Sequence, residues 1–129
     1  MQKTRMPALL LIIVMLSMVG CSLFKPSPSK VVKNFFQYVE KGEVENATKL
    51  FSKQSAQSFG SKLPSMMAHQ VGIIKNKGGI KSIDTEENIT GDLAKVKYKV
   101  TYSDTTVEDG AFDLIKEEGE WKIQISMNK

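Results

Sequence analysis

The sequence is poor in the residues that carry the commonest site chemistry. One cysteine among 129 residues excludes an internal disulfide, a thiolate zinc cage and an iron–sulfur centre. One histidine excludes any metal site built on two imidazoles. Metal-ligand spacings, a glycine-rich phosphate loop and a nucleophile elbow are all missing, so no cofactor and no metal are expected. The net charge is only +4, too mild to argue for nucleic acid. Long apolar runs are scarce as well. With 41% hydrophobic and 25% charged residues the composition is that of a single soluble domain, not of a multi-span membrane protein.

The one long apolar run lies at the start. Lys3 and Arg5 precede Ala8 to Val19, twelve residues of nearly pure hydrocarbon, and Gly20-Cys21 follows. A basic segment, a short apolar segment and a small residue before a break form a secretory signal. An uncleaved anchor is the alternative, since Ala8 to Phe24 is uncharged and reaches the lower edge of a bilayer span. The stretch resembles a bacterial lipoprotein signal peptide. Met18-Val19-Gly20-Cys21 is similar to a lipobox, with Met18 where leucine is usual, and the resemblance makes Cys21 the lipidation site, cleaved after Gly20. Two or three acyl chains of the palmitate type, at about 0.8 kcal/mol per buried methylene, would anchor the chain permanently. Loss of residues 1–20 removes two of the 18 basic residues and leaves a net charge of +2. Residues 21–29 then form a lipidated tether with a reach of at most ~28 Å. The expected location is a cell membrane or outer membrane with the domain outside the cytoplasm. Ser22 does not resemble the aspartate that retains lipoproteins in an inner membrane.

Residues 30–129 read as an α+β domain, helices first and strands second. Ser29 is a candidate N-cap, followed by Val31, Val32, Phe35, Phe36 and Val39 at helical spacing, with Gly42 as a stop. A short helix fits Glu43 to Ser52. A third begins near Ser61 and Pro64, carries a stripe of Leu63, Met66, Met67, Val71 and Ile74, and ends at Gly78-Gly79. From Ile80 the period changes to two. The four expected strands are Ile80 to Ile89, Ala94 to Tyr102, Thr106 to Lys116, and a last one carrying Trp121, Ile123, Ile125 and Met127. Gly110 reads as a bulge. Sequential strands with short turns make an antiparallel meander, and three helices must cover its apolar face. A tetratricopeptide unit over Gly42 to Phe51 is excluded because no second copy appears at a ~34-residue period.

This order resembles the nuclear transport factor two-like cone. Val31-Val32-Lys33-Asn34-Phe35-Phe36-Gln37-Tyr38-Val39-Glu40-Lys41-Gly42-Glu43-Val44-Glu45-Asn46-Ala47 is similar to the opening helices of that superfamily, and Glu117-Glu118-Gly119-Glu120-Trp121-Lys122-Ile123 to its last hairpin. With the lipobox, the chain resembles small bacterial lipoproteins whose cone domain has no assigned function. The implied fold is three helices on a curved four-stranded antiparallel sheet. The superfamily holds isomerases, dehydratases, ligand binders and assembly modules, so fold alone does not settle function.

The candidate site residues are few. Tyr98 and Tyr102 share one face of the clearest strand with Asp104. With Trp121, Phe35 and Met67 they are the expected lining of a pocket between sheet and helices. Methionines would give that pocket an adaptable wall. His69 falls on the polar side of its helix and reads as solvated. Asp109, Asp113 and Glu117 alternate away from Phe112 and Leu114, and Asp104 sits in a turn with the pKa of a wet carboxylate. This parity leaves no carboxylate inside and no catalytic residue. Lys95, Lys97 and Lys99 form an outward stripe, read as a solvated face or edge protection; contact with anionic headgroups is the sharper alternative. The expected function is therefore a small-ligand-binding or protein-interaction module held on the bilayer by acylated Cys21. Its partner would be a small molecule or an envelope protein, and pairing of two copies through the sheet face would make a homodimer. A small isomerase or hydrolase of the ketosteroid isomerase type, using Tyr98 or Tyr102 with an acid, and a purely structural assembly module are the competing readings.

Overall fold

The computed structural model describes residues 25–125. Cys21, the segment before it and Met127 lie outside the described residues. Helix α1 spans Pro28–Glu40, α2 Val44–Thr48, α3 Lys53–Phe59 and α4 Lys62–Asn76; strands β1 Ile80–Thr90, β2 Leu93–Tyr102, β3 Val107–Glu117 and β4 Glu120–Gln124 follow. The four strands form one antiparallel sheet in sequence order. Among the described residues no helix is long and apolar enough to cross a membrane.

Ser27, not Ser29, caps α1. Its hydroxyl accepts from Lys30 N at 3.2 Å, which places Pro28 in the first turn, where its missing N–H costs nothing. Ser29 and the buried Pro28 are therefore helix, not tether. The helix then buries Val31, Val32, Phe35, Phe36 and Val39, at the spacing that puts all of them on one face.

The expected helix Glu43 to Ser52 is two elements. It stops at Thr48, the chain crosses at Phe51, and α3 begins at Lys53. The reason is the edge of the sheet. Phe51 forms a parallel bridge with Ile123, with Ile123 N donating to Leu50 O and Ser52 N to Ile123 O, both at 2.8 Å. Ser52 then caps α3 by accepting from Ser55 N at 3.1 Å, and it donates to Gln124 Oε1. Ser55 Oγ in turn accepts from Ile125 N at 2.8 Å. Both serines are buried and satisfied, as buried hydroxyls must be. The helical layer thus has four helices rather than three, and the segment from Leu50 to Ser55 closes the β4 edge against strand pairing.

The irregularity in the sheet lies between Ile80 and Ser82 of β1, not at Gly110. Across Gly110 the β2–β3 register runs unbroken from Val107 to Ile115. The glycine serves a different purpose, because the Tyr98 ring lies over it. A Cβ there would sit 2.9 Å from Tyr98 Cε1, and closer still to Cζ and Oη.

The two sheet faces differ as the parity requires. Inward are Ala94, Val96, Val100, Tyr102, Leu114 and Ile123, all buried. Outward are Lys95, Lys97 and Lys99, opposite Asp84 and Glu86 on β1 and Asp109 and Asp113 on β3. Opposite charges on directly paired residues stabilise by about 0.2–1 kcal/mol. Each lysine of the stripe has an acid directly opposite it on at least one neighbouring strand, which weakens its case as an anion-binding face.

Candidate functional site

The two long helices sit differently on the sheet. Helix α1 packs on β1, β2 and β4, whereas α4 packs on the other helices. It buries only Leu63, Met67 and Ile74. Met66, an expected core residue, is 42% exposed. Where α4 stands off, a cleft of about 860 Å³ opens between it, α1 and the inner face of β2 and β3. That is within the range of small-molecule pockets, roughly 300–1,000 Å³.

The cleft floor is aromatic. Phe36 and Tyr98 have ring centroids 5.0 Å apart, Tyr98 stacks on Phe112 at 5.1 Å, and Phe35 meets Phe112 edge-on at 5.4 Å. Such pairs contribute about 0.5–1.5 kcal/mol each beyond burial, so the floor is held rigid. Phe51, Phe59 and Ile125 line the cleft toward α3 and β4, and Met66 and Met67 line it on α4. The polar lining is segregated. Ser61, Lys62, Ser65, His69 and Gln70 belong to α4 and the turn before it, and Glu108 comes from β3.

Three of the five expected pocket residues therefore meet in one place: Phe35, Met67 and Tyr98. Two do not. Tyr102 is only 1% exposed and belongs to the core; the step of four residues from Tyr98 carries it past the cleft toward the β2–β3 turn. Trp121 packs half-buried against the core near the β3–β4 hairpin, with Lys116 Nζ 5.5 Å from its ring centre, an energetically favourable cation–π placement. His69 is exposed as expected, yet it lines the cleft, because α4 packs on the other helices and stands off the sheet.

Glu108 is the one carboxylate lining the cleft, a residue the sequence reading did not single out, and it is exposed rather than buried. It shares the inward parity of Phe112 and Leu114 because the register across Gly110 does not shift. Tyr102 Oη donates to Glu108 Oε2 at 2.7 Å. Burial, then the hydrogen bond to Glu108, push the Tyr102 phenol well above its ordinary value, and burial, then the Glu108 charge, raise Tyr98 as well. Both phenols are proton donors at neutral pH, not bases. The signal for Glu108 was available in its spacing of four from Phe112, but only on the assumption of a regular strand through a glycine.

Asp104 stays in the turn and outside the cleft. Its Oδ1 accepts from Thr106 Oγ1 at 2.5 Å and Thr106 N at 2.9 Å. These bonds hold its carboxyl below the ordinary carboxylate value, contrary to the expectation of an unperturbed group. The turn it closes contains Thr105 at φ 72°, a left-handed conformation that such a side-chain bond helps to hold.

Comparison with known proteins agrees with this architecture. A crystal structure from Campylobacter jejuni, described as an NTF2-like transpeptidase, superposes with a TM-score of 0.69 over 78% of this chain and all of the other. At 20% identity the likeness is one of fold, and the fold is the nuclear transport factor two-like α+β cone. Among curated proteins none matches the sequence. The family model for a domain of unknown function, DUF4878, matches residues 19–124, most of the chain, and the chain belongs to that family.

Proposed function

We propose that the protein is an envelope lipoprotein whose cone domain binds a small, mainly apolar molecule. One observation carries the reading: the cleft of about 860 Å³ is floored by Phe35, Phe36, Tyr98 and Phe112 and walled by two methionines. Aromatic rings supply contact area and thioethers adapt to shape. A few polar groups at one side would fix a ligand's orientation. Binding is favoured over catalysis because acid–base chemistry needs a proton-transfer group tuned by burial, and Glu108 is exposed while the two phenols keep their protons. The anchor belongs to the same proposal. Cys21, placed four residues before Lys25, would hold the domain close to the bilayer. Interaction with another envelope protein, or pairing through the sheet face, would use the outward surface instead.

Native mass spectrometry of the purified chain tests the binding reading. A co-purified small molecule, displaced when Tyr98→Leu and Met67→Ala are combined, is the expected result; a cleft that takes up nothing from any apolar library would overturn it. Metabolic labelling with a tagged fatty acid tests the anchor. Cys21→Ser should lose all label, and retained label would sink it.

A further inference from the structure

The lining of the cleft is asymmetric in charge. Glu108 is the one carboxylate among the residues that line it. Its position is fixed from behind by the Tyr102 hydroxyl at 2.7 Å. Fixed in this way, the carboxylate still has acceptor capacity, since an ionised carboxylate offers about four lone-pair sites. Among the described residues no lysine, arginine or histidine forms an ion pair with it. On the outer face, Asp84, Glu86, Asp109 and Asp113 lie opposite lysines.

The surroundings of Glu108 extend the same preference. The Tyr98 ring lies across Gly110, two residue pairs along the ladder from Glu108 and on the same face of the sheet. Phe36 and Phe112 both pack against Tyr98, with their own ring centres 6.2 Å apart. Aromatic faces attract cations through their quadrupoles, most strongly where water is excluded. A carboxylate beside such rings repels an anionic headgroup, is indifferent to an apolar one and attracts an ammonium.

We propose that the molecule bound in the cleft carries a positively charged amine, seated between Glu108 and the Tyr98 and Phe112 rings, with its apolar body directed toward Met66, Phe59 and Ile125. The inference rests on the binding reading above and assigns its ligand a chemical class. Lys62 and His69 lie on the α4 side of the same cleft; they would dominate if the head group were instead an anion, so the two charge classes make opposite demands on the site.

The test uses three probes with the same apolar body: 4-phenylbutylamine, 4-phenylbutanol and 4-phenylbutyrate. They are titrated into the full chain in neutral-lipid nanodiscs, and the Met66 and Met67 methyl resonances are followed by NMR. The amine should bind about tenfold more tightly than the alcohol, and the carboxylate more weakly than both. Glu108→Gln, whose amide oxygen can still accept from Tyr102, should make amine and alcohol equal and leave the alcohol unchanged. Lys62→Ala should leave the amine preference in place. Equal binding of all three probes, or strongest binding of the carboxylate, would overturn the amine assignment while leaving the cleft as a binding site. Failure of all three to move either methyl would overturn the assignment together with the binding reading.

Discussion

Helices α1 and α4 begin from the same kind of sequence and end in different roles. Both carry an apolar stripe at helical spacing, and α4 is the longer, with 15 residues against 13. Yet α1 buries Pro28, Val31, Val32, Phe35, Phe36 and Val39, while α4 buries only Leu63, Met67 and Ile74. The difference is in what each stripe finds opposite it. Helix α1 lies on the sheet, packed against β1, β2 and β4. Helix α4 closes on other helices and bridges an opening. A stripe facing a packed layer becomes core; the same stripe facing a gap becomes the wall of a cleft. That is where a binding site can be built without costing the fold its core.

This comparison can be broken most directly at its centre. Phe35 touches Phe36, Phe51 and Phe112, and Phe35→Ala should cost about 3–5 kcal/mol, read by denaturant titration of a chain starting at Lys25. A loss near that of a surface change would mean that α1 is not seated on the sheet. Gly110→Ala comes next. Its Cβ displaces the Tyr98 ring, and overpacking of this kind costs about 1–3 kcal/mol. The stacked Tyr98–Phe112 pair should come apart, seen as a shift of the Phe112 ring resonances.

Tyr102→Phe removes the hydrogen bond to Glu108 and should cost about 0.5–1.5 kcal/mol. It carries a pH signature too. The phenol is held above its ordinary value of 10 in the folded chain, so its contribution is fully present below pH 10 and is lost as the pH rises beyond that. The wild-type chain should therefore lose stability in alkali, and Tyr102→Phe should lose less of it.

The smallest effects sharpen the contrast from the other side. Met66→Ala, on the cleft wall, and Lys97→Ala, on the outer face, should each stay within about 0.5 kcal/mol. A large cost for Met66→Ala would show α4 closing the cleft in solution. At the β2–β3 turn, Thr106→Val removes the hydroxyl bond to Asp104, and the Asp104 carboxyl should move upward toward the ordinary carboxylate range in an NMR titration. Because that carboxyl is depressed in the folded chain, whatever it contributes is present above its unfolded value and fades as the pH falls through the folded one.

Much of this architecture was legible in the residues themselves. The class, the order of elements, the faces of α1 and the alternation along β2 all follow from spacing, because a buried face must be apolar at the period of its backbone. Even the turn at Gly91-Asp92 and the stop at Gly78-Gly79, where both glycines take positive φ, are local properties of the chain. The division of Glu43 to Ser52 is not. Its cause is a pair of backbone hydrogen bonds to Ile123, a partner more than 70 residues away, and the cap at Ser52 makes sense only once that edge is in place. The site divides in the same way. That Phe35, Met67 and Tyr98 face inward was readable from period alone. That Tyr102 and Trp121 lie outside the cleft, and that Met66, His69 and Glu108 line it, depended on the packing of α4 on the other helices and the unbroken register at Gly110. Periodicity determines which way a side chain points from its own element. Only packing between elements determines whether it meets a neighbour or a space.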